Sequence, residues 1–156
     1  MGDLFGLAVR GRTLLAAALL LPAGLLCAAE VVTVHNPLNA RARWEASAPS
    51  DYSFVLERNC YCAAPNHVRI QVRGGKVVQV EDLQSGRRLT DEAILAQYPT
   101  IDQLLALIDR AVQKKPDNLT ITYDRHLGYP SRIYIDYSYR MADEEVDYHI
   151  TEFDLP

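Results

Sequence analysis

Six stretches of the chain alternate apolar with polar residues, the period at which a β-strand turns one side chain in and the next out. Asp51 to Asn59 carries Tyr52, Phe54 and Leu56, and His67 to Arg73 carries Val68, Ile70 and Val72. Lys76 to Leu83 continues with Val78 and Val80. The pattern returns later with three inward sets: Leu119/Ile121/Tyr123 in Asn118 to Asp124, Ile133/Ile135/Tyr137 in Ser131 to Tyr139, and Val146/Tyr148/Ile150 in Glu145 to Phe153. Clean alternation predicts an antiparallel sheet with one face on a core and one in water. Gly74-Gly75 predicts a two-residue hairpin, since both residues accept positive φ.

Helical spacing appears in two places. Asn36-Pro37 is a start signal, and Leu38, Ala42 and Trp44 give a short, weakly periodic helix that Pro49 ends. Thr100 with Gln103 forms a capping-box pair. Ile101, Leu104, Leu105, Ile108 and Val112 then make one apolar stripe before Pro116 stops the helix. Thr90 to Gln97 has room for a helical turn. The predicted fold class is α+β: a single domain with an antiparallel sheet and two helices, in the order helix–three strands–helix–three strands. Each half reads as one helix packed on a meander, which suggests a duplication.

Residues 1–29 change the composition. Arg10 and Arg12, the apolar run Leu14 to Leu21, the breakers Pro22 and Gly24, and small Ala28 and Ala29 have the three parts of a bacterial secretory signal. Cleavage after Ala29 gives a periplasmic or secreted protein with no membrane span, folded as one domain over residues 30–156. The alternative is a lipid-anchored N-terminus at Cys27, although Leu26 stands where lipoprotein signals carry a small residue. Removing 29 residues from 156 leaves 127, and losing Arg10, Arg12 and Asp3 takes the net charge from −4 to −5. That acidity excludes the basic footprint of a nucleic-acid binder.

Candidate chemistry is sparse. Cys60-Tyr61-Cys62 stands at the end of the first predicted strand. Residues two apart on a strand lie about 6.5 Å apart at Cα, near the upper limit for a disulfide. Three readings stand side by side: a disulfide staple between Cys60 and Cys62, a redox-active dithiol, and a soft-metal site using Cys60, Cys62 and His67. The acidic group Asp143-Glu144-Glu145 with Asp147 offers oxygen ligands but no calcium-loop spacing. His35, His67, His126 and His149 sit in no catalytic spacing, and a hydrolase would need a closed pocket setting His126 or His149 beside a carboxylate. No phosphate-binding glycine loop is present, so no cofactor is expected.

Alternation puts His67, Arg69, Arg73 and Lys76 on the wet face with Tyr134, Asp124, Asp136, Glu145 and Asp147. Arg69, Arg73, Tyr134 and Asp136 are the candidate partner surface, because tyrosine and arginine are enriched where proteins meet. The partner would be a protein or small ligand of the envelope.

Several residues together carry a family likeness. They are Trp44, Asp51-Tyr52-Ser53-Phe54, Cys60-Tyr61-Cys62, Val72-x-x-Gly75-x-Val77, Pro99-Thr100-Ile101-Asp102, Tyr123-Asp124, Gly128-Tyr129-Pro130, Asp136 and Asp143-Glu144-Glu145. In this order they resemble the exported bacterial proteins grouped as domain of unknown function 6174. The resemblance implies a small exported protein and no assigned activity. Its shared residues read as structural, with Gly128-Tyr129-Pro130 as a turn and Asp124 bonding turn amides. The leading expectation is a non-enzymatic binding module. The alternative is a thiol- or metal-handling protein centred on the cysteine pair.

Overall fold

The computed structural model describes residues 37–47, 49–59, 64–141 and 144–156, all within one compact unit. The leader with Cys27, the Cys60-Tyr61-Cys62 segment and Asp143 lie outside the described residues. So do the staple, redox and metal readings that rest on the cysteines.

Along the chain come α1 (Pro37–Ser47), β1 (Tyr52–Asn59), β2 (His67–Arg73), β3 (Lys76–Asp82), β4 (Arg88–Leu89), α2 (Glu92–Leu95) and α3 (Ile101–Lys114). Then follow β5 (Asn118–Tyr123), β6 (Pro130–Asp136) and β7 (Val146–Asp154). The strands make one antiparallel sheet in the order β4-β3-β2-β1-β7-β6-β5. The α+β class stands, but the count of two helices and six strands does not. β4 is a two-residue partner to Val80 and Glu81. α2 is a single turn whose N-cap Asp91 accepts from the amides of Ala93 and Ile94. β4 is too short to leave a period in the sequence, whereas α2 falls inside the helical turn expected over Thr90 to Gln97.

The two halves are not related by a two-fold axis. A two-fold axis between tandem copies would set equivalent strands against each other, first against first or last against last. Here the first strand of one half, β1, pairs with the last strand of the other, β7.

α3 begins where the capping box puts it: Thr100 Oγ1 accepts from the Gln103 amide, and Gln103 Oε1 accepts from the Thr100 amide. It ends on Lys115 in the left-handed conformation, just before Pro116. Its buried stripe is Ile101, Leu104, Leu105, Ile108 and Ala111, while Val112 is 56% exposed. The stripe thus closes on a methyl group at Ala111 rather than on Val112. α1 meets α3 through Trp44 Nε1, which donates to Asp102 Oδ1 at 2.8 Å, and through an Arg41–Asp109 ion pair.

The core lies between these helices and one face of the sheet, with Phe54, Leu56, Val68, Ile70, Val72, Val80, Ile133, Ile135 and Ile150 buried on it. One end is aromatic: Trp44 meets Tyr52 and Phe153 edge-on, and Phe153 stacks on Tyr52 and Tyr129. Deep burial pushes the Tyr52 hydroxyl up to about 12. Its oxygen accepts from the Ile101 amide at 3.1 Å, which satisfies one of the free donors that open α3.

Three bulges reset the alternation. On β3, Gln71 pairs with Gln79 and Val72 with Val77, so Val78 is the extra residue. Val78 is therefore 42% exposed rather than inward, and Val77 packs on the core in its place. On β6 the extra residue is Ser131. On β7 the pairs Val55–Thr151 and Ser53–Asp154 leave a bulge around Glu152, whose φ is +46°. That phase change turns Phe153 into the aromatic core and Asp154 to the open face.

Candidate functional site: the open face of the sheet

Antiparallel pairing sets directly opposed side chains on one face. On the face away from the helices the registers line up Arg132, His149, Glu57 and His67 across β6, β7, β1 and β2. Four ionisable side chains thus cross the middle of the sheet in one row, about 4.8 Å apart from strand to strand. A second row beside it runs Tyr134, Asp147 and Asn59.

Polar contacts hold several side chains of this face. Arg132 grips Asp147 with two nitrogens, Nε to Oδ1 at 3.3 Å and Nη2 to Oδ2 at 3.2 Å. His149 Nε2 is 3.5 Å from Asp147 Oδ1. Arg69 pairs with Glu152 and, at 3.6 Å, with Asp154. Since β1 lies between β2 and β7, Arg69 reaches those carboxylates across Val55. This accounts for an apolar residue only 2% exposed on the polar face. The Tyr134 hydroxyl is pushed up first by loss of solvent, then by the carboxylates of Asp136, Glu145 and Asp147.

The four residues singled out from the sequence do not form one site. Arg69 and Tyr134 share the open face but stand on different rows. Arg73 lies at the hairpin end, exposed, with Nη1 donating to the Val72 carbonyl at 3.5 Å, roughly 30 Å from Tyr134 by strand geometry. Asp136 is not on an open surface at all. It is 4% exposed, and its Oδ1 accepts from the Ser138 amide where β6 turns away. Alternation places a residue on a face but is blind to a turn that folds over it.

His67 is exposed at the end of the ionisable row. Among the described residues no three His, Cys, Asp or Glu side chains gather as a metal group. His126 sits on a turn, where its backbone amide donates to Asp124 Oδ1. His149 has its carboxylate neighbour, but on an open face. Among the described residues, the grooves beside α2 and α3 are lined by neither His126 nor His149.

One functional-looking residue was overlooked. Arg58 follows Tyr52, Phe54 and Leu56 at period two, so β1 carries a guanidinium inward, 8% exposed. Its Nη1 donates to the Gln97 carbonyl and its Nη2 to the Pro65 carbonyl, and it lies 4.7 Å over the Tyr98 ring. Tyr98 Oη also donates to the Pro65 carbonyl. Arg58 thereby ties the chain after β1 to the end of α2, a structural duty. The inward set, extended by one step, names it. Beyond Gln97 and Tyr148 a groove of ≈ 390 Å³ opens, lined by Gln103, Leu104, Leu107 and Arg110.

These features define a class: a helix-backed antiparallel sheet whose free face carries paired charges. The chain belongs to the family of unknown function DUF6174, whose model matches residues 37–155. No curated protein and no solved structure matches it. Among the described residues no helix is long and apolar enough to cross a membrane.

Proposed function

We propose that this protein is an exported, non-enzymatic binding module that engages a protein of the bacterial envelope through the open face of its sheet. The observation that carries the reading is the row Arg132–His149–Glu57–His67, continuous across four strands and flanked by Tyr134. Folding does not require it, because the core is complete on the other face. The Arg132–Asp147–His149 cluster holds its members in place before contact, which lowers the ordering cost of binding. Export rests on the leader at residues 1–29.

Photo-reactive residues at Tyr134 and His149, with Gln113 on the outer side of α3 as control, test the face in the producing cell. Adducts are expected from the first two positions and not the third, and they should be lost in R132A/E57A. Adducts arising equally from Gln113 would overturn the reading. Intact mass of the recovered protein tests export. Cleavage near Ala29 is expected, and a diacylglyceryl mass on Cys27 would replace the soluble form with an anchored one.

A further inference from the structure

The two edges of the sheet are built differently. At one edge β4 is only two residues long, and the strand behind it carries Lys76, Glu81 and Asp82. Short strands and charges are how native sheets blunt an edge. At the other edge β5 reads Asn-Leu-Thr-Ile-Thr-Tyr from Asn118 to Tyr123, with no charge, proline or glycine. Among the described residues it ladders with β6 alone, and the nearby bulge falls on β6, which leaves β5 regular. In an antiparallel pair alternate residues point both backbone groups at the neighbour, so half of β5's amides and carbonyls face outward. Leu119, Ile121 and Tyr123 are only half-buried.

We propose that β5 is a self-pairing edge: two copies of this chain join β5 to β5, antiparallel, about a two-fold axis through Ile121 and normal to the sheet. The strand complements itself in this register. Ile121 meets the partner's Ile121 and Leu119 meets the partner's Tyr123, all on the helix-covered side. Thr120 meets the partner's Thr122 on the open side. Apolar faces apolar and hydroxyl faces hydroxyl, the pairings that stabilise neighbouring strands.

The same axis brings the Asp117 end of one copy to the Arg125 end of the other, opposite charges at both junctions. A register centred between residues would oppose Thr120 to Ile121 and turn one helix layer to the wrong side. A foreign strand would need an open edge but not this self-match, so the match selects a second copy. The contact is isologous and closes as a dimer. It extends the sheet without covering the open face, and it stands independently of the function proposed for that face.

Sedimentation of the full chain over a range of concentrations tests it. A doubled mass at high micromolar concentration, lost on dilution, is expected for the wild type. Thr120 and Thr122 are exposed, so T120K/T122K and T120E/T122E should keep the melting temperature that the wild type shows when diluted to a monomer. Each alone should be monomeric, because like charges oppose across the axis. An equal mixture of the two should recover the dimer. A wild type that stays monomeric overturns the proposal, as does T120K/T122K that still dimerises. Protection of the outward β5 amides from exchange only in an envelope extract would assign the edge to a foreign strand instead.

Discussion

The two faces of one sheet are held by different physics. On the covered face Trp44, Tyr52, Phe153 and Tyr129 interlock ring against ring, with Trp44 and Tyr52 fully buried. On the open face, order comes from pairs: Arg132 with Asp147, Arg69 with Glu152 and Asp154. Close-packed shape is unforgiving, whereas exposed pairs contribute little to stability and tolerate exchange. The covered face is therefore where the fold is specified. The open face is where side chains are free to encode a contact.

The sharpest way to break that contrast is at Gly128. Its φ is +81°, and a Cβ built there would sit 2.0 Å from the Ala40 carbonyl oxygen and 2.9 Å from its carbon. The turn before β6 thus presses its backbone on the backbone of α1. Gly128→Ala adds left-handed strain of about 1–2 kcal/mol to overpacking of about 1–3 kcal/mol. Chemical denaturation should report a loss of about 2–5 kcal/mol from these two sources together. Gly75, equally left-handed but with nothing within 4 Å of an added Cβ, is the control. Gly75→Ala should cost only the left-handed strain, about 1–2 kcal/mol. Equal losses at the two glycines would mean that strain, not the contact with α1, sets the cost.

A smaller effect follows from protons. Burial raises the hydroxyls of Tyr52, Tyr98, Tyr123, Tyr129 and Tyr148, with Tyr52 reaching about 12 from an ordinary 10.0. The native state then holds its phenol protons more tightly than the unfolded chain. Stability from this source is complete below about pH 10 and drains away as pH climbs toward 12. Tyr52→Phe should flatten that alkaline slope in denaturation series. At neutral pH it should cost about 1 kcal/mol, because the Ile101 amide loses its acceptor. An unchanged slope would remove Tyr52 from the account.

Much of the covered face was legible because alternation and capping are local. The β2 bounds, the Thr100–Gln103 box and the left-handed Gly74-Gly75 turn all follow from neighbours in the chain. Val78, Val112 and Phe153 were not legible, since a bulge or a helix contact changes phase without marking the sequence. The candidate site suffered more. Arg69 and Tyr134 do reach the open face, but which residues share a row depends on registers between distant strands. Arg132, His149, Glu57 and His67 come from four separate strands, and no spacing along the chain announces that they meet. Asp136 was lost to a turn.

The mildest test separates the two things Arg69 does. Its guanidinium pairs with Glu152 and Asp154, and the register sets it directly opposite the buried Val55. Pairing alone is worth about 0–1 kcal/mol at a surface, and it fades at high salt as charges are screened. Covering an apolar side chain is a separate gain that salt does not weaken. Arg69→Ala should therefore cost about 1 kcal/mol, and Arg69→Met, which keeps the stem and drops the charge, about half that. High salt should narrow the gap between wild type and Arg69→Met while leaving the gap between the methionine and alanine variants intact. If instead both variants fall equally and salt erases both losses, the open face is held by charge alone. Val55 would then owe its burial to the flanking strands.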